Sequence, residues 1–331
     1  MTENKPNLMS GMRPTGPLHL GNLLGALSNW VNLQDEYYCH FMLAEWHSLM
    51  SEYQNPDRVR EYSHEVALDW LAAGIDPEKS VIYRQTDVPE IPELTLIFAN
   101  LVTLGRLERI PTYKEAMREL KTKEISTYGF LGYPVLQAAD ILIFRAEAVP
   151  VGEDQDFHLE LTREIARRFN TLYGRTLPEP ETLHTTTARI HGTDRRKMSK
   201  SYGNCIYLKS DQKEIEKVVL TAITDEKRVK KSDPGRPDVC VVYAWWKLFE
   251  SDEGRIKDVH DWCTGAKKGC VECKKLCSAS IAMFVFPIRE KRKEFEAHPE
   301  RVEEILVEGS RKARKEAAET MAAVREAIKL G

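Results

Sequence analysis

Gly11-Met12-Arg13-Pro14-Thr15-Gly16-Pro17-Leu18-His19-Leu20-Gly21-Asn22 is the stretch whose reading decides the fold. Leu8-Met9 before it is a short apolar run, the tail of a first strand. After it, Leu23, Leu24, Ala26, Leu27, Trp30, Val31 and Leu33 follow an i, i+3, i+4 pattern, one face of a helix. The stretch is therefore a strand-to-helix turn rich in Gly and Pro. A helix N-terminus presents unpaired N–H groups and a partial positive charge, which suits phosphate. His19 falls in the first turn, where a ring nitrogen can donate to the same phosphate, and the glycines let a nucleotide lie close to the backbone. The turn is not a dinucleotide fingerprint, because G-x-G-x-x-G is absent, and not a P-loop, because no Gly-Lys-Ser/Thr closes it. Taken alone it fits a plain strand–helix connection equally well.

The alternation continues downstream. Residues 39–44 form a continuous apolar run of strand length that ends in Glu45-Trp46-His47-Ser48. Asn55-Pro56-Asp57 is a helix-start signal, and the helix it opens ends at Gly74. Residues 80–84 are a third short strand. Strand–helix–strand–helix–strand implies a parallel sheet with helices on both faces, whose ligands bind at the carboxyl ends of the strands. The 14–22 and 45–48 turns both lie at such ends.

Pro89 opens an apolar helix expected to run through Leu107, and the charged segment 109–123 reads as a mobile connection. Tyr133-Pro134-Val135-Leu136-Gln137-Ala138-Ala139-Asp140 then leads into Ile141-Leu142-Ile143-Phe144. An Asp in so apolar a setting is costly unless something satisfies it, the alternative being a carboxylate on a helix surface. Residues 149–155 read as a buried strand ending in a Gly turn, with Gly152-Glu153-Asp154 opening the next helix. Acids there either accept ribose hydroxyls or simply complement the helix dipole. Leu177-Pro178-Glu179-Pro180 is a break, and beyond about residue 207 the pattern is helical throughout. The last helix is expected from Val302 to about Leu330. Basic residues cluster at Arg289, Lys291, Arg292, Lys293, Arg311, Lys312, Arg314 and Lys315, either a solvated face or a contact for an RNA backbone.

With 331 residues the chain is long enough for two domains. A net charge of −3 gives no global basic field, so any contact with nucleic acid rests on local patches. No apolar leader opens the chain and no run approaches membrane-spanning length, so a soluble, cytoplasmic protein is expected. Seven cysteines, an odd number in a long chain, argue against a disulfide framework.

A second stretch, Arg195-Arg196-Lys197-Met198-Ser199-Lys200-Ser201-Tyr202-Gly203-Asn204, is basic, small and flexible. Lys197 and Lys200 are compact charges suited to a triphosphate. Together the two stretches resemble the two signatures of the class I aminoacyl-tRNA synthetases. His19-Leu20-Gly21-Asn22 is similar to the "HIGH" motif and residues 197–201 are a complete "KMSKS" loop. Across nearly the whole chain the resemblance is nearest to the bacterial tryptophanyl branch, through residues 11–16, Tyr133-Pro134, Ala138-Ala139-Asp140 and residues 149–155.

That resemblance implies an α/β fold, with a Rossmann-like parallel-sheet catalytic domain over 1–206 and an all-α anticodon-binding domain over 207–331. It places a dimer-forming connective region at about 89–130 and the KMSKS loop at 195–204. It also implies a homodimer, ATP with Mg²⁺, L-tryptophan and tRNA(Trp). In the family's reaction the tryptophan carboxylate attacks the α-phosphate to give tryptophanyl-adenylate and pyrophosphate, and the adenylate then acylates the tRNA. By the same correspondence His19, Lys197 and Lys200 are the catalytic residues. Arg13, Pro14, Thr15, Gly21, Asn22, Gly152, Glu153, Asp154, Ile190, Lys197, Met198, Ser199, Lys200 and Ser201 surround the nucleotide. Indole has one polar atom, an N–H that only donates, so a selective pocket needs an acceptor within apolar walls. Asp140 falls at the family's indole position, with Met9, His47, Tyr133, Gln137, Val149, Val151 and Gln155 at other pocket positions. Gln137 stands where many members carry Met, and Met9 where some carry Phe. Rival readings are a tyrosyl enzyme, whose pocket must pair a phenol that donates and accepts, a small nucleotidyltransferase, and a non-catalytic RNA-binding paralogue.

Cys240, Cys263, Cys270 and Cys273 follow C-x22-C-x6-C-x2-C, with a C-x-x-C pair closing the set. Thiolate tetrads hold zinc or an iron–sulfur cluster equally well, and the bare count defaults to zinc. The resemblance selects between them, because this spacing matches a subset of bacterial tryptophanyl enzymes that carry a [4Fe–4S] cluster. It makes Cys277 a spectator.

Overall fold

The computed structural model describes residues 5–119, 127–152, 156–184 and 190–330. Five strands form one parallel sheet: β1 (Asn7–Met12), β2 (Tyr38–Leu43), β3 (Ser80–Arg84), β4 (Ala148–Val151) and β5 (Glu181–His184). Their order is β3-β2-β1-β4-β5, and every pairing is parallel. β1 and β2 run in register from Asn7 opposite Tyr38 to Met12 opposite Leu43. The chain order reverses between β1 and β4, and in such sheets the crevice at the carboxyl ends beside that reversal receives the ligand.

The strand β1 runs further than Leu8-Met9 suggests, through Gly11 and Met12. Gly11 belongs in it because a Cβ there would stand 2.8 Å from the Met42 carbonyl oxygen. β5 follows the Pro-rich break and is not visible as a strand in the sequence. It is the sheet edge, four residues with mixed exposure and little apolar content.

Helices cover the sheet: α1 (Glu45–Glu52), α2 (Asp57–Ala73), α3 (Glu90–Ala99), α4 (Pro111–Glu119), α5 (Tyr128–Leu142) and α6 (Asp156–Tyr173). α2 begins after Pro56 and stops at Gly74, whose φ of 113° only glycine adopts readily. α3 ends sooner than the apolar pattern implies. Asn100 closes it, donating from its side chain to the Leu96 carbonyl, and a separate turn, Leu104–Leu107, follows Thr103. The segment expected to be a mobile connection contains α4 instead. Residues 120–123 of that segment lie outside the described residues.

The chain divides into two compact units. The first is Met1–Gly16, Asn29–Thr186 and His298–Gly331, and the second is Pro17–Ser28 with Thr187–Ala297. In the second, α7 (Gln212–Leu220), α8 (Val241–Phe249), α9 (Glu253–Thr264) and α10 (Cys270–Glu296) confirm the helical reading. α9 and α10 both fall within the stretch expected to be helical throughout. α7 carries a reciprocal cap, Asp211 accepting from Glu214 N–H and Glu214 accepting from Asp211 N–H.

The last helix, α11 (Pro299–Ile328), belongs to the sheet unit. Gly309 lets it lie directly on β3, since a Cβ there would fall 1.8 Å from the Ile82 carbonyl oxygen. Polar ties surround that contact. Arg84 pairs bidentately with Glu303, Ser310 Oγ donates to Asp87 at 2.8 Å, and Tyr38 and His40 both meet Glu316. Among the described residues no helix is long and apolar enough to cross a membrane.

Candidate active site

The second unit assembles the two signatures. Leu20 N–H donates to the Ile206 carbonyl at 3.0 Å and Leu208 N–H to the Leu18 carbonyl at 2.9 Å, so His19 pairs with Tyr207 as a short antiparallel bridge. The segment just past the basic loop is thereby fixed to the segment bearing His19. His19 has extended backbone and starts the Leu20–Asn22 turn, and Asn22 Oδ1 accepts its backbone N–H at 3.1 Å. A π turn at Leu23–Leu27 interrupts the expected regular helix before Ser28–Leu33. Leu23, Leu27 and Trp30 are its buried residues.

Gly21 is required by the imidazole beside it. A Cβ there would stand 2.9 Å from His19 Cε1 and Nδ1. The His19 ring is buried, with Lys200 and Lys197 acting on it electrostatically. Burial first, then the two ammonium groups, hold its pKa down to about 4. The imidazole is therefore neutral at pH 7, with one N–H to give.

Buried Asn204 holds the basic loop in shape. Its Oδ1 accepts Ser199 N–H at 2.8 Å, while its Nδ2 donates to Asp194 at 2.7 Å and to the Lys197 carbonyl at 3.2 Å. Met198 is buried and its N–H donates to the Ile190 carbonyl at 3.0 Å. Gly192 leaves room for this arrangement, because a Cβ there would run into the Asn204 amide at 2.2 Å. Lys197 and Ser201 remain exposed, and Ser199 and Ser201 hydroxyls lie 2.9 Å apart.

In the first unit, Asp140 sits on α5 at 1% exposure within an apolar cluster that includes Met9, Ala138, Ala139 and Val149, with Val151 packed against it. Both carboxylate oxygens are engaged. His47 Nε2 lies 2.8 Å from Oδ2, and Gln85 Nε2 donates to Oδ1 at 2.7 Å. Burial pushes the carboxyl above its usual range, and the hydrogen bonds from His47 and Gln85 oppose that. Gln137 lies half-buried one turn before Asp140. The Tyr133 ring meets the His47 ring edge-on at 6.4 Å, and its hydroxyl lies 2.6 Å from Thr112 Oγ1 and 2.9 Å from His158 Nε2. Arg13 donates to Ser51 Oγ, and the Pro14 carbonyl accepts from Ser48 Oγ at 3.4 Å. Thr15 is exposed, and Gly152 follows β4 directly. Glu153, Asp154 and Gln155 lie outside the described residues.

The structure thus brings His19, Gly21 and Asn22 together with residues 197–201 and Ile190 in one unit, and Asp140, His47, Tyr133, Met9, Val149 and Val151 in the other. Gln85, Thr112 and His158 were not singled out from sequence. For Gln85 a signal was present: an uncharged polar residue immediately after a wholly buried strand, at a carboxyl end.

Cys240, Cys263, Cys270 and Cys273 line a single cavity in the second unit, with Arg228, Trp262 and Lys268. Arg228 Nη1 stands 4.0 Å from Cys263 Sγ and 3.9 Å from Cys270 Sγ. Gly235 packs so closely on this group that a Cβ would fall 2.5 Å from Cys263 Sγ. Burial pushes the Cys240 and Cys263 thiols up, and Cys273 up to about 11, so loading a metal must displace protons. Cys277 is fully buried, its Sγ donates to the Val242 carbonyl at 3.8 Å, and it is not among the residues that line the cavity. Among the described residues no set of three or more His, Cys, Asp or Glu is grouped so as to hold a metal ion.

Over residues 1–285 the chain matches the family described as tRNA synthetases class I (W and Y). It is 50% identical to the tryptophan–tRNA ligase of Thermotoga maritima, the match covering 98% of this chain and 99% of that protein. It is 42% identical to that of Aquifex aeolicus, covering 98% and 99%. It superposes on the crystal structure of Campylobacter jejuni tryptophanyl-tRNA synthetase complexed with ADP and tryptophan with a TM-score of 0.90, at 34% identity, covering 98% of this chain and 100% of that one. The chain belongs to the class I tRNA synthetases of the tryptophan and tyrosine group.

The depressed His19 basicity gives a direct expectation. In the free enzyme its imidazole titrates with a midpoint of about 4, and a bound triphosphate, by adding negative charge and offsetting Lys197 and Lys200, moves the midpoint upward. Histidine NMR over pH checks this. An ordinary midpoint near ~6.5, unchanged by a non-hydrolysable ATP analogue, removes the electrostatic link between His19 and the loop.

Proposed function

We infer that this chain is a tryptophan–tRNA ligase. It activates L-tryptophan with ATP to tryptophanyl-adenylate, releases pyrophosphate, and passes tryptophan to tRNA(Trp). The observation that carries the choice of amino acid is Asp140, a buried acceptor in apolar surroundings. An indole N–H donates to it. Met9, Val149 and Val151 flank the ring, and His47, Tyr133, Gln137 and Gln155 complete the pocket.

Displacement at phosphorus asks for positioning and charge stabilisation rather than a covalent partner. Neutral His19 donates its one N–H to phosphate oxygen. Lys197 and Lys200 meet the charge that develops on the departing pyrophosphate. Gly21 and Asn22 floor the nucleotide site. By the family correspondence Arg13, Pro14, Thr15, Gly152, Glu153, Asp154, Ile190, Met198, Ser199 and Ser201 are the further nucleotide-binding residues, with Mg²⁺ accompanying the triphosphate. The helices beyond residue 207 read the anticodon, and the reaction takes place in the cytoplasm, where tRNA and ATP are.

The proposal extends to a [4Fe–4S] cluster held by Cys240, Cys263, Cys270 and Cys273. The donor set lining the cavity is all thiol, which is the donor type such a cluster takes. When bound, the cluster supplies rigidity to the tRNA-reading half. A homodimer is supported by an apolar groove of about 520 Å³ lined by Trp46, Leu49, Met50, Tyr53, Pro92 and Leu136. Leu96, Leu104 and Tyr128 are 68%, 61% and 75% exposed in the same unit.

Amino-acid-dependent ATP–pyrophosphate exchange across all twenty amino acids tests the activity, with tryptophan expected to be the one efficient substrate. Asp140→Ala should lower kcat/KM for tryptophan by roughly 10- to 100-fold, a lost bond to a charged acceptor being worth about 1.5–3 kcal/mol, with ATP binding little changed. Unaltered tryptophan kinetics would sink the Asp140 assignment. Anaerobic purification followed by iron, sulfide and zinc analysis tests the cluster. Stoichiometric zinc without iron refutes it, and a full cluster in Cys263→Ser refutes the ligand set. With the cluster removed, adenylate formation should persist better than tRNA charging. Sedimentation equilibrium should give twice the chain mass, reduced toward one chain by Leu96→Glu. A wild-type monomer at enzyme concentrations would rule out the dimer.

A further inference from the structure

Gln85 is fully buried, one residue past β3, and both ends of its amide are engaged. Its Oε1 accepts the backbone N–H of Trp46 at 2.9 Å, and its Nε2 donates to Asp140 Oδ1 at 2.7 Å. These two contacts fix the orientation of the amide. A backbone N–H can only donate, so the amide oxygen must face Trp46 and the NH₂ must face the carboxylate. A donor held against Oδ1 requires that oxygen to accept. On the other side His47 Nε2 stands 2.8 Å from Oδ2. An ionised carboxylate offers about four acceptor directions, so two donors leave room for a third.

We propose that Gln85 is a positioning residue for specificity: it locks Asp140 as an acceptor-only group and thereby selects a ring that donates one hydrogen bond. The chain of constraint runs from the α1 backbone through the Gln85 amide to the α5 carboxylate. A carboxyl without that lock takes up a proton more readily at this buried position. Once protonated it donates as well as accepts, and it loses its preference for a donor-only ring. The inference rests on the reading of Asp140 as the indole partner.

The titratable groups facing Asp140 are His47 on α1 and Tyr83 on β3, whose buried hydroxyl is held well above its ordinary range by burial, then by Asp140 and Glu316. His47 opposes protonation of Asp140 as Gln85 does, whereas Tyr83 stays neutral across the working range. A change at Gln85 therefore acts on Asp140 in one direction only, raising the pH at which the carboxyl is lost.

The test uses the full chain and three variants, Gln85→Met, Gln85→Glu and Asp140→Asn. Exchange kinetics are followed over pH with tryptophan and with its analogue carrying sulfur in place of the indole N–H. In Gln85→Met the tryptophan KM should rise about 10- to 100-fold with kcat and the ATP KM close to wild type. The preference for tryptophan over the sulfur analogue should fall by a similar factor, and the acid limb of the pH profile should move up. Gln85→Glu keeps the acceptor for Trp46 and the side-chain volume, but sets a second carboxyl against Asp140, so its acid limb should move up further. Wild-type discrimination and an unmoved pH profile in Gln85→Met, with Asp140→Asn impaired, overturn the role of Gln85 alone. A loss shared equally by tryptophan, analogue and ATP, with no change in pH profile, also overturns it, since that is damage to packing. Unchanged tryptophan kinetics in Asp140→Asn instead overturn the reading of Asp140 beneath it.

Discussion

A carboxylate at 1% exposure in an apolar cluster is the constraint on which the sheet unit's site depends. Removing such a group from water costs several kcal/mol, so the fold must return hydrogen bonds to it or let it take up a proton. Here the donors come from two other elements, His47 on α1 and Gln85 after β3, while Asp140 itself rides on α5. Three segments distant in sequence therefore have to meet within hydrogen-bond distance, and the parallel sheet makes that possible. It delivers the ends of β2 and β3 side by side, in register from Cys39 opposite Ser80 to Leu43 opposite Arg84. The residues that follow those ends start from a common edge. The Gln85–Asp140 contact is in this sense a by-product of sheet register, because a slip of one residue would turn Gln85 to the other face.

The opposite electrostatic problem governs the second unit. There a buried imidazole sits among positive charges, and the same two causes, desolvation and ammonium repulsion, act together on His19. A ring in that environment waits as a neutral donor. The positive charge stays on Lys197, which is exposed, and on Lys200. Glycine does a further job here. Gly21 and Gly192 each stand where a Cβ would strike a polar side chain, the His19 imidazole in one case and the Asn204 amide in the other. A glycine in the first signature and another just before the basic loop are thus explained by what packs against them within the protein, before any nucleotide is considered.

Much of this was legible in the sequence, and the reasons are physical. Four strands, β1 to β4, and the helices between the first three were visible because parallel strands buried on both faces are continuous apolar runs, and because Pro56 and Gly74 punctuate α2. The pairing of the two signatures was visible because neither is common and each suits phosphate. β5 was not visible, since an edge strand of four half-exposed residues has almost no hydrophobic pattern. The end of α3 was hidden by apolar residues that continue past Asn100, where a side-chain hydrogen bond rather than a loss of hydrophobicity stops the helix. Thr112 and His158 were beyond reach for another reason. Their hydroxyl and ring meet Tyr133 only once α4, α5 and α6 have packed, and no periodicity encodes that meeting.

The placement of α11 carries the same lesson to the level of units. Read along the chain, it continues a helical tail. Yet its contact with β3 is at backbone level at Gly309, and its charged residues complete groups that β2 and β3 leave buried. His40 is wholly buried, stacked 4.5 Å from Phe144, and its Nε2 finds Glu316 at 2.7 Å. Without α11, the β3 edge would expose unpaired backbone, and His40 and Arg84 would lose their carboxylates. The sheet that sets the Gln85–Asp140 contact is therefore finished by the last thirty residues of helix, Pro299–Ile328. A chain ending before them would lack the helix that covers the β3 edge.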